Sequence, residues 1–166
     1  MQGISKEGNF GGVKMIINVN INGAKKSFDI KPDEFLVEVL RRYGYLSVKK
    51  ACDTGSCGVC SILLDGKPVL SCSYFAARAD NKSITTIEGI SDTEKKLGEL
   101  LVDEGVDQCG YCSPGLILTV IAMKKELKNP TKQDVTEYLT GNLCRCTGYV
   151  GQLRAIMRYM EVAEWN

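Results

Sequence analysis

Lys50-Ala51-Cys52-Asp53-Thr54-Gly55-Ser56-Cys57-Gly58-Val59-Cys60 gathers three thiols and two glycines into one loop-like run, and Cys72 follows as a fourth thiol. The spacing is Cys-x4-Cys-x2-Cys-x11-Cys. A second quartet, Cys109, Cys112, Cys144 and Cys146, is spaced Cys-x2-Cys-x31-Cys-x-Cys, so the fold must bring a close pair and a closer pair together. Two four-thiolate metal sites are the first reading, because soft sulfur donors in fours complete the coordination of iron or zinc. Taken alone, the second quartet says only that a metal is held.

The first three thiols match the Cys-x4-Cys-x2-Cys loop with which plant-type ferredoxins hold a [2Fe–2S] cluster. Zinc ribbons, the ordinary alternative, repeat Cys-x2-Cys twice, and this quartet does not. Gly55 and Gly58 suit the same reading, since glycine accepts positive φ and lets a loop bend until main-chain N–H groups face sulfur.

Outward from this loop, Val59–Leu63, the Asp65-Gly66 turn and Lys67–Ser71 predict a β-hairpin, with a further strand at Ser83–Thr86. Upstream, Ile17, Val19 and Ile21 alternate with Asn18 and Asn20, then meet Asn22-Gly23 and a second run, Lys25–Ile30, which predicts another hairpin. Pro32 and Asp33 open a helical pattern of Leu36, Val37, Val39, Leu40 and Tyr43, closed by Gly44 as a left-handed C-cap. Residues 15–87 therefore read as a β-grasp domain: a mixed sheet, one helix, and the cysteine loop on its edge.

Strand signals stop at Glu88. Apolar spacing and caps predict helices over 92–105, 114–127, 132–140 and 150–162, the clearest starts being Ser113-Pro114 and Thr131 with Asp134. The expected fold class is α+β, a ferredoxin-like domain (15–87) followed by an all-α bundle of four helices (88–166), with 1–14 as a flexible tail. Cys112 and the Cys144–Cys146 segment fall ahead of helices, where the dipole favours thiolate charge.

Composition narrows the function. Lys and Arg (21) balance Asp and Glu (20), and no basic run is interleaved with aromatics, so nucleic acid is not an expected partner. Cysteine is 8 of 166 residues, below the roughly 8–10% of short disulfide scaffolds. The Gly-rich, polar start resembles neither a signal peptide nor a membrane anchor, and a reducing compartment would keep the thiols free for metal. There is no histidine, which removes Rieske clusters, Cys2His2 zinc sites, Ser-His-Asp triads and imidazole acid–base chemistry together. No Walker loop or dinucleotide fingerprint is present, so the organic reaction is expected in a partner.

Read together, Lys50-Ala-Cys52-Asp-x-Gly55-x-Cys57-Gly58-x-Cys60, Leu64-Asp65-Gly66, Ser71-Cys72, Gln108-Cys109-Gly110-Tyr111-Cys112-x-Pro114-Gly115 and Gly141-Asn142-Leu143-Cys144-Arg145-Cys146-Thr147-Gly148-Tyr149 resemble the iron–sulfur subunit of the molybdenum hydroxylases, the xanthine dehydrogenase and aldehyde oxidoreductase family. The resemblance spans about residues 15–160 and implies a ferredoxin-like domain followed by a four-helix bundle. It implies that Cys52, Cys57, Cys60 and Cys72 bind one [2Fe–2S] cluster, and Cys109, Cys112, Cys144 and Cys146 another, nearer molybdenum. Gln108 and Cys146 are the positions it brings to the molybdopterin cofactor. A large molybdopterin subunit, an FAD subunit and a cytoplasmic setting follow by the same route, with a purine such as xanthine as the expected substrate. Aldehydes, nicotinate, aromatic acyl thioesters and carbon monoxide are handled by relatives. Gln152 departs from the pattern, standing where the family often has an apolar residue, and puts the local helix packing in question.

Plainer readings accompany these. A free two-cluster carrier would make no permanent interface, and a zinc-stabilised interaction module would be colourless. Gln108 can be a polar residue closing a helix, and Tyr111, Arg145 and Tyr149 can be packing and ion-pair material. Leu116, Ile117, Val120, Ile121 and Met123 form a stripe that core burial explains. Lys49-Lys50 and Lys124-Lys125 read as solvated faces.

Overall fold

The computed structural model describes residues 14–162. Its first half is built on β1 (Met15–Ile21) and β2 (Ala24–Ile30), α1 (Leu36–Arg42), β3 (Ser61–Leu64), β4 (Lys67–Leu70) and β5 (Ser83–Thr85). The strands form one mixed sheet in the order β2-β1-β5-β3-β4, with β1 and β5 parallel and every other pair antiparallel. Both hairpins turn on two positive-φ residues, Asn22-Gly23 and Asp65-Gly66, the backbone that suits the twist of paired strands. Ile17, Val19 and Ile21 point inward against Leu36, Val37, Val39 and Leu40 of α1, as their alternation predicts.

α1 begins later than Pro32-Asp33 suggests. Phe35 pairs with Phe75 in a β-bridge, Leu36 N–H donates to Tyr74 O, and Ala76 N–H donates to Glu34 O, so Phe35 is held extended and the helix starts only at Leu36. Its end is as expected: Gly44 N–H donates to Arg41 O and Tyr45 N–H to Leu40 O, which satisfies the last carbonyls.

The second half comprises α2 (Asp92–Asp103), α3 (Ser113–Glu126), α4 (Lys132–Tyr138) and α5 (Val150–Met160). Capping boxes start α2 and α4, Ser91 with Glu94 and Thr131 with Asp134. Leu97 and Leu101 of α2, Val120 and Met123 of α3, Val135, Ala155 and Ile156 make its core. Among the described residues no helix is long and apolar enough to cross a membrane. The expectation of a tail over 1–14 lies, except for Lys14, outside the described residues.

One strand and one helix join the halves. β3 is buried on both faces: Ile62 and Leu64 face the first core, while Leu63 packs with Leu118, Ile121 and Ala122 of α3. The α3 stripe is thus core, as expected, but it covers two layers, with Val120 and Met123 turned to the helices and Ile121 to the sheet. Each such aliphatic side chain taken from water contributes roughly 1.5–3 kcal/mol.

Candidate metal centres

The first quartet is assembled by the loop between α1 and β3 and by the 3-10 turn Ser71–Ser73 that follows β4. Antiparallel pairing of β3 with β4 brings the ends of the hairpin together, so Ser71 N–H and Ser71 Oγ both donate to Cys60 O, the latter at 2.7 Å, and Cys72 is delivered beside Cys60. The thiols stand two by two, Cys52 with Cys57 and Cys60 with Cys72. The Cys57 thiol and the N–H groups of Ser56, Thr54 and Cys57 pull the Cys52 thiol down to about 6. Burial, with Cys60 only 3% exposed, pushes its thiol up to about 11.

The second quartet draws on two loops. Cys109 lies between α2 and α3 and Cys112 is the N-cap of α3, while Cys144 and Cys146 lie between α4 and α5. Again the thiols pair: Cys146 Sγ is 3.5 Å from Cys109 Sγ, and Cys112 meets Cys144. Cys109 and Cys146 form an exposed outer pair and Cys112 and Cys144 a half-buried inner one. Burial raises the Cys112 thiol to about 11. Burial opposes ionisation of Cys144 as well, but the Thr147 hydroxyl and the N–H groups of Cys146 and Thr147 outweigh it and hold that thiol low. Gln108, beside Cys109, is exposed in the same loop.

All eight thiols are free. The donor chemistry fits a two-iron cluster in each quartet, since each iron there needs two thiolates and the structure supplies two pairs. Among the described residues no three His, Cys, Asp or Glu side chains close on one point as a single ion requires.

The two quartets touch. Leu143 N–H donates to Cys57 O at 2.9 Å, and Tyr111 Oη donates to Lys50 O at 3.0 Å. Gly58 (φ +72) and Gly115 make this approach possible, because a Cβ on Gly58 would lie 2.3 Å from Gly141 O and one on Gly115 2.5 Å from Gly58 O. The lysine pair is less free than its sequence suggests: Lys49 Nζ sits 4.7 Å from the Tyr111 ring centre, and Lys50 pairs with Glu38 at 3.2 Å.

Two residues beside the second quartet do more than their sequence announces. Thr147 Oγ1 donates to Cys144 Sγ at 3.2 Å and accepts from Tyr149 N–H at 3.3 Å, while Tyr149, at φ 70, accepts from Cys144 N–H at 3.1 Å. Their place in the Cys-Arg-Cys-Thr-Gly-Tyr run is visible in the chain, but a hydroxyl closing on a sulfur three residues back is not.

Comparison with known proteins agrees with this geometry. A family described as "2Fe-2S iron-sulfur cluster binding domain" matches residues 19–84, and one described as "[2Fe-2S] binding domain" matches residues 86–157. The nicotinate dehydrogenase small FeS subunit of Eubacterium barkeri is 40% identical over 149 residues, covering 88% of this chain and 94% of that one. The xanthine dehydrogenase iron-sulfur-binding subunit of Escherichia coli O157:H7 is 43% identical over 141 residues, covering 80% and 86%. Among solved structures, quinoline 2-oxidoreductase from Pseudomonas putida 86 superposes with a TM-score of 0.82 at 37% identity, covering 89% of this chain and 94% of the matched chain.

Two [2Fe–2S]-binding domains in tandem define the class: an iron–sulfur electron-transfer protein. The chain belongs to the two-cluster small FeS subunit family of the molybdenum hydroxylases, which spans the xanthine dehydrogenase, aldehyde oxidoreductase and nicotinate dehydrogenase types.

Proposed function

We propose that Cys52, Cys57, Cys60 and Cys72 ligate one [2Fe–2S] cluster and Cys109, Cys112, Cys144 and Cys146 the other, within domains bounded at 15–87 and 88–166. Bound clusters would supply one-electron redox chemistry and leave no open position for substrate. The chain's own contribution is to hold the thiolates in pairs, surround them with N–H donors and keep the two quartets in main-chain contact. The Leu143–Cys57 hydrogen bond carries this reading, because it makes the two quartets one continuous unit.

The exposed pair, Cys109 and Cys146, and the exposed loop carrying Gln108 give the second quartet an open face. That face suits a large subunit whose molybdopterin meets Gln108 and Cys146; Gln108 offers a primary amide for the pterin edge. An FAD-bearing subunit completes the complex, which works in the cytoplasm. The substrate we assign is a purine of the xanthine class, supported by the 43% identity to the Escherichia coli xanthine dehydrogenase subunit. Nicotinate is the second reading, favoured by the match over 94% of the Eubacterium barkeri subunit.

Anaerobic purification of the tagged chain from its native host tests this. The expected result is copurification of a molybdopterin subunit and an FAD subunit, two distinct EPR signals on reduction, and bleaching by xanthine in preference to nicotinate. A colourless monomer without acid-labile sulfide overturns it.

A further inference from the structure

Tyr111 belongs to the second quartet by its main chain and reaches the first by its side chain. It stands between Cys109 and Cys112 in a turn closed by Ser113 N–H on Gly110 O at 3.2 Å, and its own N–H is the largest influence drawing the Cys109 thiol down. Its hydroxyl donates to Lys50 O at 3.0 Å, two residues ahead of Cys52. Lys50 is itself anchored, with Nζ on Glu38 of α1 at 3.2 Å, and the Lys49 ammonium lies 4.7 Å from the Tyr111 ring centre.

The second quartet is built from two loops, and each has its own tie to the segment that carries Cys52 and Cys57. Leu143 ties the later loop to Cys57 O, and Tyr111 ties the earlier one to Lys50 O. Packing of α3 on β3 joins the two halves, but Tyr111 and Leu143 belong to none of the cores and are 43% and 47% exposed. One hydrogen bond between two loops lets them pivot about it, whereas two at separate points fix both distance and orientation. The ties are unequal as conductors. From Cys144 the Leu143 tie reaches Cys57 across one peptide unit, while the Tyr111 tie runs the length of a tyrosine side chain and two further residues before Cys52. Leu143 supplies the short path, and Tyr111 the hold.

We propose that Tyr111 is a positioning residue for electron exchange between the two centres: its hydroxyl on Lys50 O is the second clamp that keeps the Leu143–Cys57 contact closed; this rests on the ligand assignment above. A tyrosine side chain suits the task because it spans the gap in one rigid piece with only two rotatable bonds. The Lys49 ammonium over its face steadies the ring. A phenylalanine keeps the ring and that cation contact and loses only the donor. With one tie left, the loops open more often, by about fivefold, the factor that one neutral hydrogen bond commands.

The test compares the intact complex carrying Tyr111 with the same complex carrying Tyr111→Phe. Deuterium uptake at the Leu143 N–H, read by fragmentation mass spectrometry, should rise about fivefold in the variant. With both centres reduced, the mutual splitting of their EPR signals, which reports separation and orientation, should diminish while both signals persist. Electrons should also equilibrate between the centres more slowly after rapid mixing with a reductant. Where the variant does not assemble, uptake at Leu143 in the full chain alone decides. Wild-type uptake at Leu143 in the variant overturns the inference, and so does a rise spread equally over α2 and α5, which would make the hydroxyl a matter of general stability. Absence of both iron signals from the wild type overturns the ligand assignment, and the inference falls with it.

Discussion

Leu143, the residue directly before Cys144, donates its main-chain N–H to the carbonyl of Cys57 at 2.9 Å. A cysteine of one quartet is thus one hydrogen bond and one peptide unit from a cysteine of the other. Leu143→Pro removes the donor, whereas Leu143→Ala keeps it and trims a side chain that is about half exposed. The proline variant should lose about 1 kcal/mol of stability from the missing hydrogen bond and equilibrate electrons between its centres more slowly. Rapid-freeze EPR after mixing with a reductant measures the second effect, and equal rates in the two variants would remove the hydrogen bond from the route.

Gly58 and Gly66 share a backbone conformation and differ in surroundings, which separates conformational cost from crowding. Gly66 has φ +81, and a Cβ added there would have nothing within 4 Å, whereas at Gly58, φ +72, that atom would strike Gly141 O at 2.3 Å. Gly66→Ala should cost about 1–2 kcal/mol, the ordinary left-handed penalty, and leave iron content intact. Gly58→Ala should cost more and reduce iron in both centres, since the loops must separate. Urea unfolding midpoints and iron analysis report both, and equal costs would show that the loops accommodate the methyl.

Much of this architecture is legible in the chain because local rules and tertiary packing agree. Asn22-Gly23 and Asp65-Gly66 name their own turns, Thr131 and Asp134 cap the helix they precede, and Ile17, Val19 and Ile21 declare their face. The true start of α1 is hidden because the pairing of Phe35 with Phe75 is a contact across forty residues that no local pattern records. The grouping of cysteines into quartets is legible from spacing, but their division into pairs is not, because it depends on how β3 and β4 close and on where α3 and α5 begin. Gln152 shows another case: nothing in its local sequence says that this polar residue is buried, and only the fold places it beside a cavity lined by cysteines of both quartets.

Thiol reactivity in the iron-free protein should follow the local fields. With its thiol near 6, Cys52 is mostly thiolate at pH 7, while Cys60 and Cys112, near 11, stay protonated until strongly alkaline pH. Iodoacetamide at pH 7 should therefore modify Cys52 first, at a rate that rises through pH 6 and then levels, and should spare Cys60 and Cys112 while the protein is folded. Peptide mass spectrometry across a pH series checks the order. The buried thiols must also give up their protons on loading, so iron uptake should be favoured as pH rises. Early labelling of Cys60 would mean that the iron-free loop opens.

Thr147 is hydrogen-bonded to a thiol of the second quartet, and under the proposed ligand assignment it would tune that centre. Its oxygen accepts Tyr149 N–H at 3.3 Å, which leaves the hydroxyl proton for Cys144 Sγ at 3.2 Å, and Tyr149 Oη in turn fixes Cys144 N–H at 3.1 Å. Tyr149 holds φ 70 to close this ring, a backbone that costs a non-glycine residue about 1–2 kcal/mol. Thr147→Val keeps the shape and removes the donor, so the second centre's potential should fall by an amount on the order of tens of millivolts, a severalfold change in its redox ratio. Thr147→Ser should restore it, because the hydroxyl returns even though the methyl does not. If the serine variant behaves like the valine one, the methyl group's packing, and not the hydrogen bond to sulfur, is what the threonine contributes.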